Sequence, residues 1–158
     1  MIDHDEIMIS LKPKHAAHIF DGKKTVELRK RRPNIRPGTR VWIYATAPIA
    51  AIKGYANLAQ IETGSPPHIW RTLGSQTGIS KSEFDAYFEA CEVAHALMLT
   101  DIMEMKRALP LKRIRELVID FQPPQFFCYL NGAREFMRLS SRKHQRIKKQ
   151  QKVARIER

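Results

Sequence analysis

The residue types best suited to chemistry lie close together early in the chain. Lys24, Thr25, Glu27 and Arg29 supply two cations, a hydroxyl group and a carboxylate within a short stretch. Alternate side chains of a β-strand share one side, so a strand over residues 25–31 would set Thr25, Glu27 and Arg29 side by side. Such a set could bind a phosphate and a base edge together. The alternative is a salt-bridge network in which Glu27 only holds the two cations in place, and the sequence leaves both open.

The cations of the chain are concentrated in two segments. The net charge is +12, with +7 in residues 23–40 and +8 in residues 133–158. Two separate basic segments are typical of a surface that binds phosphate, although a single basic run is more often merely solvated. The sequence therefore predicts nucleic acid as the partner. The predicted nucleic-acid contacts are Lys12, Lys23, Lys24, Thr25, Glu27, Arg29, Lys30, Arg31, Tyr44, Arg142, Lys143, Lys148 and Lys149.

Two aromatic residues on the next predicted strand are candidates for base stacking. Trp42 and Tyr44 lie in a stretch rich in β-branched and aromatic residues, which favours a strand. Unpaired bases commonly stack on aromatic side chains. We therefore expect one of the two rings to face the cleft beside Glu27.

Length and composition indicate one domain with an appendage. A chain of 158 residues can bury a single core. Beyond Gly132 the apolar residues are too sparse for a core face. We therefore predict a domain over residues 1–131 and a basic extension over residues 132–158. No apolar run approaches the roughly 18 residues that would span a bilayer, and the acidic N-terminus lacks the features of a signal peptide. We expect no membrane insertion, a cytoplasmic location, no cofactor, and free thiols at Cys91 and Cys128. The oligomeric state does not follow from the sequence.

Hydrophobic periodicity and turn residues predict strands mixed with short helices. Pro13 suits the first turn of a helix, Gly22 its left-handed end, and Gly54 a bulge or bend in a long strand. Predicted strands cover residues 7–9, 25–31, 41–45, 49–62, 94–103 and 126–130, and predicted helices begin near Pro13, Ser65, Ser80 and Pro110.

The predicted helix after Ser80 carries an apolar stripe and an acidic face. Ser80 and Glu83 form a capping-box pattern, and we assign the apolar stripe to the core. A helix-turn-helix that reads DNA with this helix is disfavoured, because its acidic residues would be repelled by phosphates. The stripe comprises Phe84, Tyr87, Phe88 and Cys91, and the acids are Glu83, Asp85, Glu89 and Glu92.

The order of these motifs resembles that of ASCH domains. Gly22, Lys24, Thr25, Glu27 and Arg29 match the family signature G-x-K-T-x-E-x-R, between the first helix and the following strand. Further likeness lies in residues 9–13, 44–48, 123–125 and 129–130, so the resemblance covers about residues 7–131. It implies an α/β (α+β) fold, a PUA-like small β-barrel with flanking short helices, and a link to the recognition of RNA and modified nucleotides.

The resemblance also implies two enzyme alternatives, in which Lys24 and Glu27 are the candidate catalytic acid and base. Other ASCH proteins are associated with metal-dependent ribonuclease activity. One branch resembles an amidohydrolase of acetylated cytidine, but Glu27 stands where that branch has a threonine, so the nucleophilic hydroxyl is missing. His15 and His18 share one helix face without an obvious third ligand, so no metal site is predicted. Ten cations after residue 132 favour a polymer over a free nucleoside.

Overall fold

The structure, a computed structural model, describes residues 6–130. The predicted extension, with its expected contacts Arg142, Lys143, Lys148 and Lys149, lies outside these residues. The elements in chain order are β1 (Glu6–Leu11), α1 (Pro13–Phe20), β2 (Val26–Arg29), β3 (Arg40–Ala45), β4 (Ala51–Gly64), α2 (Pro66–Leu73), a 3-10 turn (Gly74–Gln76), α3 (Lys81–Tyr87), β5 (Ala94–Pro110), α4 (Leu111–Leu117) and β6 (Phe127–Tyr129).

The six strands form one curled sheet in the order β2-β5-β4-β3-β1-β6. Strand β1 pairs with β3 in parallel, and the other described pairs are antiparallel. The two edge strands β2 and β6 approach each other. Arg29 Nη1 at the end of β2 donates a hydrogen bond of 3.2 Å to the carbonyl oxygen of Phe126, just before β6. The mixed α/β half-barrel with four short helices confirms the predicted fold class.

The structure contains three backbone features that the sequence predicts. Helix α1 begins at Pro13, and Gly22 beyond its end has a φ of +80°, a conformation that a residue with a Cβ rarely adopts. The pairing of β4 shifts register between Ile52 and Gly54. A Cβ at Gly54 would collide with the backbone oxygen of Met103 and the ring of Phe20, so glycine allows the close approach there.

The apolar residues form three clusters on the two sides of the sheet. The first packs α1 against one side of the sheet, the second packs α2 and α3 over β2 and β5, and the third packs α4 over β1, β3 and β4. Trp42 and Tyr44 belong to the third cluster and are almost fully buried there with Ile114 of α4.

Three predicted elements differ in extent, and the first is β2, which covers Val26–Arg29 where the prediction was residues 25–31. Helix α3 has its capping box at Ser80 and Glu83 but ends at Tyr87, so Phe88 and Cys91 follow the helix and still pack in the second cluster. Strand β5 runs to Pro110, well past the predicted end, because its outer half continues to pair with the first half of β4. Between residues 6 and 130, no helix has the length and apolar character needed to cross a bilayer.

Candidate functional site

A cleft of about 490 Å³ lies where the two edges of the sheet approach each other. We call it the seam cleft. Its walls come from the β1–α1 junction, from β2, from α3 with the loop before it, and from the segment before β6. The lining residues are Ser10, Leu11, Lys12, His15, Lys24, Glu27, Leu28, Arg29, Thr46, Ile79, Glu83, Tyr87, Gln125 and Phe126.

Lys24, Glu27 and Arg29 form a buried group at the bottom of this cleft, the β2 charge network. Lys24 Nζ lies 3.1 Å from Glu27 Oε2, and Arg29 Nη2 lies 3.0 Å from Glu27 Oε1. Each of the three side chains is at most 8% exposed. Charges taken out of water need such partners, because an unpaired buried charge is strongly destabilising.

The same network connects three walls of the cleft. Besides Glu27, Lys24 Nζ donates to the carbonyl oxygens of Val26 at 2.8 Å and Thr77 at 3.0 Å. An ammonium has three hydrogens, so these three partners use all of them. Thr77 precedes α3, and Arg29 reaches Phe126 before β6. The network therefore sets the spacing of the walls, and in this conformation Lys24 has no donor left for a ligand.

The pKa values in the cleft follow from burial and from these cations. Burial raises the pKa of Glu27, but the neighbouring Lys24 and Arg29 lower it by more. The pKa of Glu27 therefore lies below its ordinary value, and the carboxylate is ionised at neutral pH. Burial lowers the pKa of His15, and Lys24 lowers it further. The imidazole of His15 is therefore neutral at neutral pH.

Several buried hydrogen-bonding atoms without a partner belong to residues that line the cleft. They are Ser10 Oγ, His15 Nδ1 and Arg29 Nε. Buried polar atoms are nearly always hydrogen-bonded in folded proteins, so a group of unsatisfied ones is a feature to be explained. These atoms have almost no exposed surface, so a polar ligand in the cleft would supply the missing partners only after small side-chain movements.

Two partly exposed rings line the cleft from different segments of the chain. Tyr87 of α3 is 37% exposed and Phe126 is 55% exposed. Lys30 Nζ lies 4.9 Å from the centre of the Tyr87 ring, and burial raises the pKa of the Tyr87 hydroxyl. The sequence assigned Tyr87 to the core and Phe126 to a strand, and neither position carries a local signal that would have placed it at a cleft.

The expectation that Trp42 or Tyr44 faces the cleft is wrong. The two residues are two positions apart on β3 and so point to the same side of the sheet, where they pack with Tyr55 and Ile114. Neither ring lines the seam cleft.

The other predicted contacts are divided by their burial. Lys12, Lys23, Lys30 and Arg31 are exposed, and Lys12 also lines the cleft. Thr25 is half-buried and donates from Oγ1 to Gln76 Oε1 at 3.2 Å. Of the predicted contacts within residues 6–130, the structure thus brings Lys12, Lys24, Glu27 and Arg29 to the cleft and leaves the others outside it.

The residues of the cleft do not fit a resident metal ion. Among the residues that the structure describes, no three His, Cys, Asp or Glu side chains are grouped as ligands. Both oxygens of Glu27 are engaged by cations, and Glu83 is engaged by the backbone of Ser80 and by Lys14. No catalytic step is therefore assigned to a metal.

Comparisons with known proteins agree with the fold and with the motif. A family model described as "Domain of unknown function (DUF365)" matches residues 7–119. The ASCH domain-containing ribonuclease of Zymomonas mobilis is 38% identical over 128 residues, which are 81% of this chain and 86% of that protein. A crystal structure of ASCH from Zymomonas mobilis superposes with a TM-score of 0.82 at 37% identity, covering 88% of this chain and 96% of that one. The chain belongs to the ASCH domain family.

Proposed function

We propose that this chain binds single-stranded RNA, with one unpaired nucleotide held in the seam cleft. The observation that carries the proposal is the combination of unsatisfied polar atoms with two partly exposed rings in one cavity. Single-stranded RNA is recognised by stacking on aromatic rings and by hydrogen bonds to base edges. The relative named as a ribonuclease supports RNA as the polymer.

The proposed contacts follow from the chemistry of the cleft. Tyr87 and Phe126 offer ring faces for stacking, and the Nε–H group of Arg29 offers a donor to a carbonyl or a ring nitrogen of the base. Ser10 Oγ can donate or accept. The exposed cations Lys12, Lys23, Lys30 and Arg31, together with the basic residues after residue 132, would contact phosphates without reading sequence.

The test is a binding measurement with the full chain against single-stranded RNA, duplex RNA and single-stranded DNA of equal length across a salt series. We expect single-stranded RNA to bind most tightly, with affinity that falls steeply as salt increases. Equal affinity for all three polymers at every salt concentration would mean that the cleft contributes nothing and that only net charge attracts them.

Cleavage of the bound RNA is the second candidate, and His15 is the observation that favours it. The neutral imidazole can accept the proton of a ribose 2′-hydroxyl. The 2′-oxygen then forms a bond to phosphorus, the bond from phosphorus to the 5′-oxygen breaks, and the leaving oxygen takes a proton from water or from Lys12. The products are a 2′,3′-cyclic phosphate and a 5′-hydroxyl end.

Replacement of His15 separates binding from cleavage. We expect His15→Gln, whose amide can still form hydrogen bonds, to retain most of the RNA affinity and to lose cleavage. We expect DNA, which lacks the 2′-hydroxyl, to stay intact. Products are identified by gel and by mass, with and without divalent ions, so that a metal requirement is detected separately. Cleavage of DNA, or full activity of His15→Gln, would contradict this role of His15.

The amidohydrolase alternative has less support. Lys24 has its three hydrogens engaged by protein acceptors, and Glu27 occupies the position of the missing threonine. We expect no release of acetate from acetylated cytidine.

A further inference from the structure

A row of polar side chains crosses the sheet beside the seam cleft. Arg29 of β2 is paired in register with His95 of β5, and His95 is paired with Thr63 of β4. Directly opposed residues of antiparallel strands have their side chains on the same face. With neighbouring strands about 4.8 Å apart, the row begins at a residue of the cleft and ends about 10 Å away.

Arg32 is held over the end of this row. Its Nη1 donates to Thr63 Oγ1 at 3.4 Å, and Thr63 Oγ1 lies 2.9 Å from His95 Nδ1. The threonine hydroxyl thus joins the guanidinium to the imidazole. A guanidinium has five donor hydrogens, of which the contact with Thr63 uses one. We call Arg32, Thr63 and His95 the edge row; it shares Thr63 and His95 with the row that crosses the sheet from Arg29.

The edge row is continuous with the mouth of the cleft through exposed cations. Lys30 lies over the ring of Tyr87, which lines the cleft, and the exposed Arg31 and Arg32 follow it in sequence. Glu62 is next to Thr63 in the chain, but successive strand residues point to opposite faces. The carboxylate of Glu62 lies 3.5 Å from His68 Nε2 on the side of α2, so it is directed away from the edge row.

We infer that the RNA strand bound in the cleft continues across the edge row, with one of its phosphates between Arg32 and His95. This inference rests on the proposed function and adds to it a second, separate contact for the same strand. A phosphodiester suits the row because a guanidinium fork binds two phosphate oxygens and an imidazole N–H can donate to one. The phosphate contact would carry no sequence information, so it would lengthen the bound segment without changing base preference.

The inference is tested with the full chain and two single-stranded RNAs, a trinucleotide and a hexanucleotide, by fluorescence anisotropy. We expect Arg32→Ala to weaken the hexanucleotide about tenfold, as for loss of one charge-assisted contact, and the trinucleotide less than about twofold. Thr63→Val keeps every cation and removes the oxygen that positions both Arg32 and His95, so it should produce a smaller loss that is again confined to the hexanucleotide. Arg107→Ala is the matched control, because Arg107 is an exposed arginine near the opposite end of β5.

The outcomes separate the inference from the function on which it rests. An equal loss for both RNAs in Arg32→Ala, or an equal loss in Arg107→Ala, would show general attraction and overturn the path across the edge row. A wild-type chain that binds neither RNA would overturn the proposed function itself, and the path with it.

Discussion

The cations of the β2 charge network and the cations directly after β2 are chemically alike but differ completely in burial. Lys24 and Arg29 are buried against Glu27, whereas Lys30, Arg31 and Arg32 are exposed. The charged groups of the first set are paired with Glu27, although Arg29 Nε lacks a hydrogen-bond partner, and the second set is open to a partner. One basic run in the sequence therefore supports two different roles, and burial rather than charge decides between them.

The difference arises where the strand ends. Glu27 and Arg29 lie within β2 and are buried, so their charges require partners. Beyond Arg29 the chain leaves the sheet and the next cations meet solvent, where an ion pair contributes only about 0–1 kcal/mol. Variants on either side of this point should therefore affect different properties.

The largest expected effect is on stability, from the centre of the β2 charge network. Glu27→Gln keeps the shape of the side chain but leaves two buried cations without a counter-charge. We expect the free energy of unfolding in urea to fall by about 3–5 kcal/mol. The matched control is Glu62→Gln, which removes a half-exposed partner of His68 and should cost at most about 1 kcal/mol. Similar losses of unfolding free energy in both variants would mean that the buried network contributes no more to stability than an exposed ion pair.

The same network should give the fold an acid sensitivity. The pKa of Glu27 is raised by burial and lowered more by Lys24 and Arg29, so its folded value lies below the ordinary 4.5. Its ionised form therefore stabilises the fold fully above pH 4.5, and this stabilisation is lost as pH falls through the folded pKa. We expect unfolding curves between pH 6 and pH 3 to decline less steeply in Glu27→Gln. Glu83, whose pKa is also lowered by the capping interaction with Ser80, remains in both proteins, and parallel curves would contradict the assignment to Glu27.

A smaller effect, on affinity alone, is expected at the aromatic wall of the cleft. Stacking of a base on an aromatic side chain contributes about 1–3 kcal/mol, so Phe126→Ala should weaken single-stranded RNA binding by about 5- to 150-fold. Because the ring is 55% exposed, the unfolding free energy should change little. Ile119→Ala serves as control, since Ile119 is 85% exposed and does not line the cleft. Unchanged RNA affinity in Phe126→Ala would show that no base stacks on this ring.

Local sequence signals predicted most of the fold and little of the cleft. Caps and glycines act within a few residues, so the start of α1 at Pro13 and the capping box at Ser80 could be predicted from the residues alone. The cleft depends instead on contacts between distant segments, such as Arg29 with Phe126, which are 97 positions apart. No local pattern indicates that Lys24 reaches Thr77, or that α4 covers the face on which Trp42 and Tyr44 lie.

The most direct test of the two roles compares one cation from each side of the end of β2. Lys24→Met and Arg31→Ala each remove one positive charge from the full chain, and both the unfolding free energy and the salt dependence of RNA affinity are measured. We predict that Arg31→Ala changes stability by less than about 0.5 kcal/mol and reduces the salt slope by about one. We predict that Lys24→Met loses about 3–5 kcal/mol of stability and, while folded, keeps the wild-type slope. A stable Lys24→Met variant with the same reduced slope as Arg31→Ala would contradict the account.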